Sequence, residues 1–86
     1  LFNKNNLETA RNISKRFFLI KKKIEKHKNI KKFLLETKKK MQKKFKIKIE
    51  YLELRNEKNL NVSKKFKGSI LFVAYYLKDI RLIDNF

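Results

Sequence analysis

The segment GSILFVAYYLKDIRLIDNF, Gly68 to Phe86, decides the fold. It is rich in β-branched and aromatic residues and carries a single lysine, Lys78, in a chain that lysine otherwise dominates. Ser69–Leu77 is apolar at both parities, which predicts a strand at the centre of a sheet. Lys78-Asp79 reads as a two-residue turn, although the favoured Asp-Gly is absent. Ile80–Asn85 then returns as a third strand, with Ile80 and Leu82 on one parity and Arg81 and Ile83 on the other.

Upstream of Gly68, residues 56–67 (NEKNLNVSKKFK) are polar. They read as a connection, with a helical turn at Glu57–Leu60. Before them, Lys46-Ile47-Lys48-Ile49-Glu50-Tyr51 alternates polar and apolar from Phe45 onward, the pattern of a half-buried strand. The phase then slips, because Leu52 and Leu54 fall on the other parity. Either a bulge intervenes or the far end is covered on both faces.

The first half of the chain has a helical period. Leu7, Ala10, Ile13, Phe17, Ile20 and Ile24 recur every three or four residues, one stripe of a helix from about 6 to 26. Asn5 or Asn6 is the expected N-cap, with Glu8 favourable in the first turn. His27-Lys28-Asn29 breaks the pattern. Asn29 is placed to cap a second helix, running to about Lys44 with Ile30, Phe33, Leu34, Thr37 and Met41 on one face. So short a link makes the helices antiparallel neighbours. The expected class is α+β in the order α-α-β-β-β: two antiparallel helices on a three-stranded antiparallel sheet, one domain over residues 1–86.

The formal charge is +17, from 25 basic and eight acidic residues. Such a charge suggests a polyanion partner. Only four of the 25 are arginine (Arg11, Arg16, Arg55, Arg81), the residue that grips phosphates and guanine edges in a bidentate fork. Lys, Asn, Ile and Phe are abundant while Gly, Pro and Ala are scarce. That is the bias of AT-rich codons, and it accounts for the charge without a nucleic acid. The lysines of 21–23, 38–40 and 43–44 are expected mostly on solvated outer faces, binding nucleic acid only non-specifically.

Cysteine is absent and His27 is the only histidine, which excludes a disulfide framework, a thiolate zinc site and a histidine relay. The longest apolar run, Ile70–Leu77, is too short for a membrane span, which needs about 20 residues. No signal pattern opens the chain. The sequons at Asn12 and Asn61 read as chance matches. Leu1 is not methionine, so the chain is expected to be the end of a longer protein or a trimmed piece.

The strand and turn of the opening segment carry a resemblance. Leu71, Val73, Ala74 and Leu77, followed by Arg81-Leu82-Ile83-Asp84-Asn85, resemble the L-x-V-A-x-x-L strand and R-L-I-D-N ending of pantothenate synthetase, the pantoate–β-alanine ligase family. Upstream, IEYLELRNEKNL (Ile49–Leu60) is similar to that family's D-Y-L-x-I-x-D-x-x-T-L strand and turn. Arg55-Asn56 stands where an aspartate is common, and Asn59 where threonine is. The opening LFNKNNLETARNI looks like the start of the family's C-terminal domain, without the Ser-Ser-Arg-Asn loop that precedes it there.

The resemblance implies the last third of an ATP- and magnesium-dependent enzyme. That enzyme joins pantoate to β-alanine through a pantoyl adenylate, releasing AMP and pyrophosphate. It implies a cytoplasmic setting, a homodimeric parent and an N-terminal nucleotide-binding domain as partner. The catalytic groups, among them a His-x-Gly-His motif, belong to that missing domain. No catalytic, cofactor-binding or metal residue is therefore expected on this chain, and alone it is expected to be inactive. What carries over is a hinged lid that excludes water from the intermediate.

Arg81, Asp84 and Asn85 are read structurally, Arg81 in an ion pair and Asp84-Asn85 in backbone hydrogen bonds at the sheet's end. His27 reads as a loop residue. Tyr75 and Tyr76 point to opposite faces, one into the core. Lys64, Lys65 and Lys67 are expected in solvent, or facing the ATP cleft if the lid closes that way. Two other functions stand beside the lid. One is a small basic nucleic-acid-binding domain, against which the strands show no interleaved arginine and aromatic platform. The other is a protein-interaction module using the uncovered sheet face. An independent enzyme has no nucleophile–base pair or metal set to support it.

Overall fold

A computed structural model describes residues 3–63 and 65–86. Two helices, α1 (Lys4–Ile24) and α2 (Ile30–Phe45), precede three strands, β1 (Lys48–Asn56), β2 (Ser69–Leu77) and β3 (Ile80–Asn85). The strands form one antiparallel sheet in the order β1-β2-β3. The α+β class, the α-α-β-β-β order and the central place of β2 are as the sequence predicts.

The helix boundaries differ at their starts and ends. Asn3, rather than Asn5 or Asn6, caps α1: its Oδ1 accepts the Asn6 N–H at 2.8 Å. Glu8 therefore lies beyond the first turn, and the helix stops two residues short of 26. Asn3, Asn5 and Asn6 are equivalent in residue type, and local propensity does not choose among them. Asn29 caps α2 as expected, its Oδ1 accepting from the Lys32 N–H at 3.1 Å. Residue 46 does not open a strand. Lys46 takes a left-handed conformation (φ 53°, ψ 44°) and terminates α2, so β1 begins at Lys48. The alternation from Phe45 spans a helix cap, which side-chain periodicity does not register.

The core lies between the helices and one sheet face. Ile13, Phe17, Ile20 and Ile24 from α1 and Leu34, Thr37 and Met41 from α2 are buried. They meet Ile49, Leu52 and Leu54 of β1 and Leu71, Val73, Tyr75 and Leu77 of β2. Phe17, wholly buried, stands between Tyr75 and Phe86 at ring-centroid distances of 6.2 and 6.1 Å. Leu7, at the head of the expected stripe, is left exposed.

The slip of phase in β1 is a bulge. Ile49 pairs with Tyr75 and Tyr51 with Ala74, so Glu50 is the extra residue. Glu50 and Tyr51 both turn away from the core, and Leu52 re-enters it. That single insertion reconciles the odd-numbered Ile47 and Ile49 with the even-numbered Leu52 and Leu54. The residues 57–59 form a turn, closed by the Leu60 N–H on the Asn56 carbonyl at 2.8 Å. Gly68 enters β2 at φ 75°, where a side chain is disfavoured. At the β2–β3 hairpin Lys78 holds φ 58°, a positive value that two-residue hairpins require and glycine or asparagine usually supplies.

Candidate functional site

The sheet turns its second face away from the helices. Ile70, Phe72 and Tyr76 of β2 lie there beside Tyr51, Glu53 and Arg55 of β1 and Arg81 and Ile83 of β3. This corrects the reading that the strands lack arginine among aromatics on one face: Tyr51, Phe72, Tyr76, Arg55 and Arg81 share it. The bulge conceals this in sequence, because it moves Tyr51 onto the same face as Glu53 and Arg55. Yet neither arginine is free. Arg81 is paired with Glu50, the bulge residue, and this hydrogen bond raises its pKa. Arg55 holds Glu53 through Nε and Nη2 and also donates to the Leu60 carbonyl at 2.9 Å. The face is largely half-buried, with both its arginines paired to glutamates and Lys48 exposed at its edge opposite Tyr76, which suits a protein surface better than a phosphate backbone.

Asp84 of the R-L-I-D-N ending is fastened to α1 and to backbone. Asp84 lies on the core side: its Oδ2 accepts the Ser14 hydroxyl from α1 at 3.1 Å, and its Oδ1 accepts the Asn85 N–H at 2.9 Å. Tyr75 is the core tyrosine, 2% exposed, while Tyr76 lies on the open face. Burial, with the Asp84 charge adding to it, pushes the Tyr75 phenol up to about 12. His27 stacks on Phe33 of α2 with centroids 3.9 Å apart, and its backbone N–H donates to the Ile24 carbonyl.

Lys21 was expected on a solvated face and is not. Its Nζ donates to the carbonyls of Ser69 (3.0 Å) and Phe86 (2.7 Å), clasping the start of β2 and the end of the chain. Burial lowers its pKa, and the Glu57 charge partly opposes that. This end of the sheet also holds Lys65 and Lys67, both exposed. Lys64 lies outside the described residues.

A basic cleft opens at the opposite end, beside the start of α1. Asn6 and Thr9 of α1, Lys46 and Lys48 after α2, and Tyr76 and Lys78 of the hairpin line it. Glu50 also reaches it, engaged by Arg81. Two of the three lysines sit on left-handed backbone, Lys46 at the helix cap and Lys78 at the turn. Those positions bring Lys78 to the same opening as Lys46 and Lys48, 30 or more positions earlier, and nothing in the sequence spacing signals it. Because β2 runs nine residues, Lys65 and Lys67 stand about 30 Å from this cleft.

Among the described residues no three His, Cys, Asp or Glu side chains gather into a metal-binding group, and no helix is long and apolar enough to cross a membrane. No curated protein and no solved structure matches the chain. A family model described as pantoate-beta-alanine ligase does match it, over residues 1–86. The resemblance read from Ile49–Leu60 and Leu71–Asn85 is thereby borne out, and the chain belongs to the pantoate–beta-alanine ligase family.

Proposed function

We propose that residues 1–86 are the C-terminal lid domain of an ATP-dependent pantoate–β-alanine ligase. In this reading the lid closes over an N-terminal nucleotide-binding domain that forms pantoyl adenylate from ATP and pantoate, and β-alanine then displaces AMP. The carrying observation is the family match along the whole of a chain that has one histidine and one glycine, far apart. Such a chain belongs to the ligase without holding the ligase's phosphate-handling groups. The magnesium of the parent reaction we assign to the N-terminal domain, since among the described residues no three His, Cys, Asp or Glu side chains gather into a metal-binding group. The parent is expected to be a homodimer in the cytoplasm.

The lid's contribution is exclusion of water from the adenylate and added positive charge at the rim. Lys46, Lys48 and Lys78, at the end where α1 begins, are the groups we assign to that rim. The apolar open face, with Arg81 and Arg55 neutralised, supplies a surface for the adjoining domain.

The test is to join this chain to the N-terminal domain of an active family member in place of that enzyme's own C-terminal domain. Pyrophosphate release and pantothenate formation are then followed together. A lid keeps the two in step. The N-terminal domain alone, and this chain alone, give little or no pantothenate. Pantothenate made by residues 1–86 unaided, or a chimera no better than the bare N-terminal domain, overturns the reading. Replacing Lys46, Lys48 and Lys78 together with alanine in the chimera is expected to raise KM for ATP by several-fold with the fold intact.

A further inference from the structure

The outer edge of β1 is closed at both ends and open in the middle. At one end Gln42 Oε1 of α2 accepts the Ile49 N–H at 2.8 Å. At the other, the chain's own residues 61–63 start a fourth strand: the Asn56 N–H donates to the Asn61 carbonyl (2.9 Å) and the Ser63 N–H to the Leu54 carbonyl (2.8 Å), with a bridge between Arg55 and Val62. Ladder groups on one edge recur every second residue. The N–H and C=O of Leu52 and the N–H of Leu54 therefore point to this same edge, and no backbone group among the described residues pairs with Leu52 there.

A groove runs along this opening between β1 and α2. Its apolar floor includes Leu34 and Leu35 of α2 and Val62 beside the strand, with Leu35 55% and Val62 66% exposed. Lys28, Lys31 and Lys38 form its helix-side rim. The acidic residues on the strand side, Glu50 and Glu53, are already held by Arg81 and Arg55. What is unmatched is thus a row of lysines above an apolar floor, next to a free strand edge.

We infer that the β1 edge at Leu52 is a docking site for an extended acidic segment of another protein, which adds as a strand and continues the ladder that residues 61–63 begin. Strand addition supplies main-chain hydrogen bonds, and alternate side chains supply specificity. Apolar residues of the segment sit against Leu35 and Val62, and its carboxylates meet the lysine rim. The charge decides the occupant. A second copy of a chain carrying +17 would bring lysine against lysine, whereas an acidic segment is drawn in. This inference concerns a different surface from the basic cleft and does not depend on the lid reading.

The experiment is amide hydrogen exchange and 15N NMR on the 86-residue chain, with a hexapeptide alternating glutamate and valine as probe. At a peptide concentration about ten times its Kd, exchange at the Leu52 and Leu54 amides is expected to slow about tenfold, with shifts at Leu35 and Val62. The same peptide with lysine in place of glutamate has no effect. Leu35→Glu, at an exposed helix position that keeps the fold, abolishes the protection. Peptide effects scattered over the lysines without slowing at Leu52, or protection that survives Leu35→Glu, overturn the inference. So does concentration-dependent protection of Leu52 without peptide, accompanied by a dimer in sedimentation, which assigns the edge to a second copy.

Discussion

Lys21 Nζ donates to the carbonyl of Phe86, 65 positions away, at 2.7 Å. The same ammonium takes the Ser69 carbonyl, so one side chain from α1 binds the first residue of the central strand and the last residue of the chain. Beside it, Phe86 and Leu71 exchange both backbone hydrogen bonds, extending the β2–β3 ladder one step beyond β3. Replacing Lys21 strips the Ser69 carbonyl of this donor, while the Phe86 carbonyl keeps the Leu71 N–H. Lys21→Met is expected to cost ~1–2 kcal/mol of stability in urea denaturation, the penalty of an unsatisfied partly buried acceptor. Lys22→Met, one position on and exposed, should stay within about 0.5 kcal/mol. Equal effects from the two would show that the clasp contributes nothing.

Phe17 and Phe18 make a second matched pair. Phe17 is fully buried against Tyr75 and Phe86, and Phe18 is half exposed. Phe17→Ala should remove about 3–5 kcal/mol, enough to unfold much of so small a domain. Phe18→Ala should shift the midpoint little. Circular dichroism during thermal unfolding reads both.

Tyr75 sets an alkaline limit. Burial, aided by the Asp84 charge, pushes its phenol up to about 12, above the ordinary tyrosine value of about 10, so the folded state holds the proton more tightly than the unfolded chain. The stabilisation is whole below pH 10 and is lost as pH rises through 12, an amount of about 3 kcal/mol. Unfolding free energy measured from pH 9 to 12 should fall over that window. Tyr75→Phe should flatten the fall, and an unchanged slope in that variant would exclude Tyr75 as its source.

The bulge makes an unusual prediction about deletions. Removing Glu50 leaves Ile49 inward, Tyr51 outward and Leu52 inward, a regular alternation. The variant should fold, losing only the Arg81 partner. Removing Glu53 instead brings Leu52 and Leu54 together and forces one of them out of the core. That variant should be unfolded or molten by near-UV circular dichroism and amide dispersion. A folded Glu53 deletion would contradict the assigned register.

RNA binding should be electrostatic and shallow. The arginines on the open sheet face are paired with Glu50 and Glu53, leaving the exposed lysines together with Arg11 and Arg16 of α1 as the phosphate contacts. Titration with a mixed-sequence RNA is expected to give a steep loss of affinity with salt and negligible binding by about 150 mM. Affinity that persists there, or depends on Tyr76 or Phe72, would point to stacking on the sheet.

The sequence by itself determined the secondary elements, their order and nearly all of the core. Apolar residues at Ile13, Phe17, Ile20 and Ile24, and at Leu71, Val73 and Leu77, repeat with the periods of helix and strand, and burial follows period. It also carried the family, through the strand and ending at Leu71–Asn85. Tertiary structure alone decided where β1 bulges, that Lys21 reaches Ser69 and Phe86, and that Lys46, Lys48 and Lys78 share a cleft. Each of these depends on which residues become neighbours across long sequence separations, or on a backbone sign at a single residue. Local periodicity carries neither, because it records which face a side chain takes and says nothing of what will lie opposite.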